Sequence, residues 1–323
     1  MPPRLHRAHG LVLTILVLSL ALPAFAYGAS TKPTVTTGTA ANVTPQSATL
    51  LGRITPNGAE TTYVFHFGPT TLYGSASPVA VAGSGRSPVT VLANLTGLAP
   101  ATTYHYRLVA RNRNGAVNGA DRTFKTRSQP LGLTLAATPN PVPFGRPIVL
   151  GGTLSGTGNA GRPVALQANP FPYTQGFATI SNPQLTSPEG AFAFPLLTVP
   201  LNTQYRVLIQ DKPEVASPIV GVGVAVRVST NVSSQRVRTG GVVRFSGRVT
   251  PARPGAQVAI QKRRGKRWVT VAGTITRSAG QTFSRYAKRV RIRRGGRYRV
   301  FVAIVDGNFV SNAGRTVTIR RRF

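Results

Sequence analysis

Cysteine is absent from the chain, methionine and tryptophan occur once each, and only six of its 323 residues are aspartate or glutamate. The first absence excludes disulfides, thiolate metal sites, a thiol nucleophile and a lipid-modified N-terminal cysteine. Outside the cell, such a chain must hold its domains together by core packing alone. The shortage of acids removes most acid/base chemistry. Asp211 and Glu214 lie in Asp-Lys-Pro-Glu, which reads as a turn with no histidine to support it. Beyond residue 26 the only histidines are His66 and His105, with no acid nearby in sequence, so they read as surface histidines and not as a metal site. No Gly-x-Ser-x-Gly, His-Glu-x-x-His or phosphate-loop motif occurs, and Ser87, in the loop Gly83-Ser84-Gly85-Arg86-Ser87, has no base assigned to it. The reading is non-enzymatic: no catalytic residue, no cofactor, no metal and no small-molecule substrate.

Long apolar runs are also missing, with one exception. Arg4 and Arg7 precede a short apolar stretch from Leu11 to Leu22, and Ala24-Phe25-Ala26 fits a small-x-small cleavage site. Residues 1–26 therefore read as a secretory signal peptide, with the mature chain starting at Tyr27. The stretch is shorter than the ~20 residues a spanning helix needs. A leader left uncleaved would tether the chain to the membrane. Arginine outnumbers lysine 33 to 6, a bias that suits a GC-rich bacterial genome. The expected location is secreted or at the bacterial cell surface.

What is abundant is glycine (34) and proline (26), which favours turns between strands over helices. Ala48–Ile54, Thr61–Phe67 and Pro88–Leu95 alternate as strands, separated by turns such as Pro56-Asn57-Gly58. After them comes a segment carrying Leu98, Pro100, Thr103, Tyr104, Tyr106, Val109 and Ala110, then Asn112 and Gly115. Residues 33–127 resemble a fibronectin type III domain on these positions, although no core tryptophan stands in the early strands; Phe65 and Phe67 are the candidates to fill that volume. The resemblance implies a Greek-key sandwich and a corner in which the Tyr104 hydroxyl returns to the backbone upstream. It also implies that the strands of His66 and His105 pair, with both side chains outward and within reach of each other.

Residues 128–226 and 227–323 read as two copies of one further unit. Val149–Leu154 parallels Val243–Val249, Val164–Gln167 parallels Val258–Gln261, and Gln204-Tyr205-Arg206-Val207 parallels Arg297-Tyr298-Arg299-Val300. They resemble the immunoglobulin-like repeats of bacterial surface proteins. The expected fold class is all-β: three tandem Greek-key β-sandwich domains after the signal peptide. Gln129-Pro130 and Pro139-Asn140-Pro141 read as proline-rich joins that keep modules apart.

Charge separates the copies where pattern does not. From Arg227 to Phe323 there are 24 lysines and arginines against one carboxylate, Asp306; residues 128–226 hold four bases and three acids. Most of the net charge of +33 therefore sits in the last copy, and a polyanion is its natural partner. Two hairpins are expected to concentrate it. The first has Lys262, Arg263, Arg264, Lys266 and Arg267 at its tip. The second turns at Gly295-Gly296 and lines up Arg289, Arg291, Arg293, Arg297 and Arg299 as an outward ladder, with Val290, Ile292, Tyr298 and Val300 inward. Arg320-Arg321-Arg322 adds three more. These ten hairpin residues are the candidate polyanion-binding site. The candidate partners are anionic polysaccharide or cell-wall polymer, with extracellular nucleic acid as a further polyanion. The alternative is a carbohydrate-binding module or spacer that recognises neutral glycans by stacking on Trp268, Tyr298 or the Phe171-Pro172-Tyr173 loop.

Overall fold

A computed structural model describes residues 29–209 and 211–322, so the leader lies outside the described residues. The fold is all-β: among the described residues every regular element is a strand, and the strands form tandem sandwiches. The chain divides between Arg127 and Ser128 into two compact units.

In the first unit, Thr34–Ala41 (β1), Ser47–Thr55 (β2) and Val89–Thr96 (β4) make one sheet in the order β1-β2-β4. Thr61–Gly68 (β3) pairs Thr103–Asn112 (β5) in the other, extended by four short strands. Alternation along these strands puts Leu50, Ile54, Phe65, Tyr106 and Leu108 between the sheets, each no more than 1% exposed. Phe65 fills the centre and Phe67 packs half-buried beside it. The expected corner is present: the Ala99 N–H donates to the Tyr104 hydroxyl at 2.9 Å. Asn57 and Gly58 both have positive φ, the backbone that Asn-Gly adopts without strain.

The second unit contains two sandwiches with equivalent pairing. In residues 128–226, Ile148–Ser155 (β6) pairs Ala191–Leu196 (β8), and Pro163–Pro170 (β7) pairs Thr203–Ile209 (β9). From Arg227 onward, Val242–Thr250 (β10) pairs Ser284–Arg291 (β13). Gln257–Arg264 (β11) pairs both Arg267–Ile275 (β12) and Gly296–Ala303 (β14), and β14 also pairs Val317–Arg321 (β15). The edges differ. Two strands of two residues flank β7, whereas β11 carries the nine-residue β12.

Two sequence expectations need correction. Residues 289–300 do not form a hairpin, because β13 and β14 belong to opposite sheets and the intervening residues cross the sandwich. The physical reason is the core: Val290, Ile292, Tyr298 and Val300 are all buried, and they approach it from both sheets. Gly295 is the crossing point, where an added Cβ would lie 2.9 Å from the Ile319 carbonyl oxygen. Likewise Pro139-Asn140-Pro141 is not a join. It lies inside the second sandwich, where the Asn140 side chain donates to Gly221 O and accepts from Gly223 N–H.

The last two sandwiches are not kept apart. Val310 N–H donates to Val224 O at 2.8 Å and Val226 N–H to Val310 O at 3.2 Å, so the chain leaving one sandwich is bonded to a loop of the other. Asn202 donates to Gly307 O at 2.7 Å and accepts from Val224 N–H at the same distance. Phe309 lies against Phe144, with centroids 5.9 Å apart, and apolar side chains of both sandwiches join one connected cluster.

Tyr286 on β13 anchors the basic sandwich, its hydroxyl donating to Ser229 O at 2.6 Å. Burial pushes its pKa up to about 12 from 10. The folded state therefore holds this proton more tightly than the unfolded chain. The stability involved is fully present below pH 10 and is lost as pH rises toward 12, on the order of 2–3 kcal/mol. In denaturant titrations at pH 9 and pH 11.5, Tyr286→Phe is expected to lose about 1 kcal/mol at the lower pH with the hydrogen bond. At the higher pH it should decline less than the parent chain. Equal alkaline losses in both proteins would show that Tyr286 does not carry this linkage.

Candidate functional site

On one side of the basic sandwich the two sheets end without closing. β12 is the terminal strand of its sheet, and a two-residue strand, Arg277-Ser278, covers only the Ser284–Arg285 end of β13. Between these edges lies an open cleft of about 980 Å3. Its cationic lining is Lys262, Arg263, Arg264, Arg289, Arg291, Arg293 and Arg294, with Val271, Ala272 and Tyr298 supplying apolar wall. The hairpin of β11 and β12 delivers the first three, turning tightly at Gly265-Lys266 with Gly265 at φ 57°. β13 and the crossing loop deliver the rest.

Lys262 is the innermost cation. Its Nζ donates to Arg294 O at 2.8 Å and stands 5.6 Å from the centroid of the Tyr298 ring. Burial, then the charges of Arg264 and Arg294, depress its pKa. The cleft thus already disfavours one of its own positive charges. No carboxylate relieves it: Asp306, the only acid of this sandwich, lies 3.6 Å from Arg253, away from the cleft lining. The close contact between His105 and Asp121 is in the first unit.

The ten residues expected from sequence are divided by the structure. Six of them line the cleft. Lys266 and Arg267 sit exposed at the hairpin tip, outside its lining. Arg297 faces Thr318 across β14 and β15 and cannot continue a ladder from β13. Arg299 is occupied by the fold: it donates from Nε to Gln261 Oε1 at 2.8 Å and stacks 4.5 Å over the Trp268 ring. The near-neutral sandwich has the same device, Arg206 to Gln167 at 2.8 Å with Phe177 beneath at 4.5 Å. An arrangement shared by the copy without the charge belongs to the architecture and not to the ligand.

The aromatic candidates are partly engaged by the fold: Arg299 occupies a face of Trp268, Tyr298 is 3% exposed, and Phe171 is turned toward Gly307 at the seam between the sandwiches, while Tyr173 stays 37% exposed. Arg294 lines the cleft but is missing from the sequence-derived set, because alternation was counted along a hairpin that does not exist. Other arginines gather elsewhere. Arg236, paired with Arg320, joins Arg321 and Arg322 around a recess of about 540 Å3, and Arg244, Arg248, Arg277 and Arg285 line one of about 400 Å3. The run Arg320-Arg321-Arg322 is visible in the sequence, but the addition of Arg236 and the grouping of Arg244, Arg248, Arg277 and Arg285 depend on pairing between distant strands.

The strands of His66 and His105 pair as expected. His66 opposes Arg107, and His105 binds Asp121 from Nδ1 at 2.8 Å; the acid comes from 16 residues further on. Tyr73 donates to the other Asp121 oxygen at 2.9 Å. Burial pushes the Asp121 carboxyl up, but the hydrogen bonds from His105 and Tyr73 outweigh it and hold the pKa below its usual range. No cluster of three potential metal ligands occurs among the described residues. Asp211, Glu214 and Ser87 are exposed.

No family model matches this chain, and no curated protein sequence matches it. Among solved structures, it is similar to a crystal structure of titin domains, at 14% identity over 90% of this chain and 100% of that one, with a TM-score of 0.38. It is also similar to a tetra-tandem repeat in the extending region of a large adhesion protein, at 18% identity over 89% and 74% of the two chains, with a TM-score of 0.28. An ICAM-5 ectodomain fragment is similar at 12% identity over 90% and 76%, with a TM-score of 0.36.

Proposed function

We propose that this is an exported, non-enzymatic surface or adhesion protein whose last sandwich holds an anionic polymer of the cell envelope or matrix. In this reading residues 33–127 are a fibronectin type III domain, and two immunoglobulin-like domains follow, 128–226 and 227–323. The carrying observation is the cleft at the open sandwich edge, with seven cations on its walls and no carboxylate among its lining residues. Like charges set together cost a few tenths to ~1 kcal/mol per cross-strand pair. A ligand bearing phosphates or carboxylates relieves that repulsion, and guanidinium groups can grip both kinds of oxyanion through paired hydrogen bonds. The surface is made of strands with no recognition helix, so binding is driven by charge and follows polymer charge density more than sequence. The occupied Trp268 face disfavours the neutral-glycan reading.

The test uses the whole chain, because the last two sandwiches share apolar contacts that cutting at residue 226 would expose. Loaded on heparin and on isolated anionic wall polymer, the protein should be retained at low salt and released as salt rises. Retention indifferent to salt, or abolished by Trp268→Ala alone, would overturn this reading in favour of neutral-glycan stacking.

A further inference from the structure

The outer face of the sheet containing β10 and β13 carries a second basic surface, and its layout is more specific than charge alone. Register places Arg248, Arg285 and Arg277 side by side across three strands. Four residues along β10, Arg244 stands directly opposite Arg289. The row between them is Asn231, Ser246 and Ala287, uncharged and short. Strand geometry puts the two cationic rows roughly 13–14 Å apart, and the longer row spans roughly 10 Å. These residues line the recess of about 400 Å3, apart from Arg289. Phe283 sits beside the longer row, 4.6 Å from the Arg248 guanidinium and 5.5 Å from that of Arg285, which props both heads above the sheet. Among the described residues no ion pair or hydrogen bond engages the guanidinium groups of Arg248, Arg277 or Arg285, and adjacent like charges are costly without an anion between them.

We propose that this recess is a second anion site, adjoining the edge cleft at Arg289, built for an acidic oligosaccharide whose charged groups are separated by uncharged polar units. The two arginine rows hold successive acidic groups. The Asn231–Ser246–Ala287 floor accepts the uncharged unit between them, with amide and hydroxyl available to its hydroxyl groups. A uniformly charged chain such as polyphosphate would place anions over a floor that has no cation to meet them. The inference rests on the polyanion reading only for the sign of the ligand; the two surfaces meet at Arg289, while Arg248, Arg277 and Arg285 lie outside the cleft lining.

The experiment uses the whole chain and two probes matched in total charge, a hyaluronan oligosaccharide with one carboxylate per disaccharide and inorganic polyphosphate. Affinities are measured by titration calorimetry at low salt. Combined Arg248→Gln, Arg277→Gln and Arg285→Gln is expected to weaken hyaluronan binding about tenfold or more, with polyphosphate affinity changed less than about threefold. Thermal melts of the variant and the parent chain are the control for folding. Arg→Lys at the same three positions keeps the charge and should recover part of the lost hyaluronan affinity. Equal losses for both probes would reduce the recess to undirected charge and overturn the proposal. So would undiminished hyaluronan binding, while leaving the edge cleft as the polyanion site. A parent chain that binds neither probe would remove the polyanion reading itself.

Discussion

Replacing Lys262, Arg264, Arg291, Arg293 and Arg294 together by glutamine is expected to lower the affinity of the whole chain for a densely charged polyanion about 10²–10³-fold near 0.1 M salt. The reasoning is counterion release: each polymer charge neutralised by a cation frees about one bound counterion, so each lost contact removes about one unit from the slope of log affinity against log salt. Five contacts therefore account for a slope change of about 4.5. The diagnostic measurement is that slope, taken by chromatography or titration between 0.05 and 0.3 M salt. The loss would not be an unfolding artefact. All five residues line an open cleft in which no carboxylate pairs with them, so their neutralisation removes repulsion. Lys262 forfeits its bond to Arg294 O, a cost of about 1 kcal/mol, while the other four lose no side-chain hydrogen bond among the described residues. Melting temperatures of variant and parent should agree within a few degrees. If the slope stays that of the parent, the cleft is not the binding surface, however basic it is.

Phe309→Ala is expected to have the largest effect on stability, about 3–5 kcal/mol, and to change its form as well as its size. The Phe309 ring is 7% exposed, packs against Phe144 of the preceding sandwich, and has the Arg253 guanidinium 4.1 Å above it. Arg253 in turn reaches Asp306. Removing the ring leaves a cavity at the seam and takes away a large part of the apolar coupling, leaving the hydrogen bonds of Asn202, Val224, Val226 and Val310 and the smaller contact of Phe171 with Gly307 to join the two sandwiches. Calorimetry should then resolve two transitions for residues 128–322 in place of one, with the basic sandwich melting first because its cations repel one another. A single transition merely shifted downward would mean that the hydrogen bonds couple the sandwiches without help from the ring.

Much of this molecule was legible as pattern. Strand positions in residues 33–127 follow from alternation and turn residues. The Tyr104 corner was implied by the resemblance to fibronectin type III domains, and its contact, Ala99, lies five residues away. The repeat between the last two sandwiches could be read too, since equivalent strands keep their order: β6 with β8 and β7 with β9 match β10 with β13 and β11 with β14. The arginine ladder was expected from sequence, but on the wrong strands. A ladder does exist, yet it runs across β10, β13 and the short Arg277-Ser278 strand and not through the Gly295-Gly296 segment. Arg299 looked like one cation among many until its partners Gln261 and Trp268 were in view.

The sequence by itself determined the all-β class, the concentration of charge in residues 227–323 and the face each strand residue takes, because composition and two-residue periodicity act locally along the chain. Only the tertiary structure decided which cations stand together, which are consumed by internal contacts, and where the sandwich is left open. Those outcomes depend on sheet membership, and sheet membership is settled by burying both inner faces at once. The same alternation satisfies a hairpin within one sheet and a crossing between two, so nothing local distinguishes them until the core of Val290, Ile292, Tyr298 and Val300 has to close from both sides.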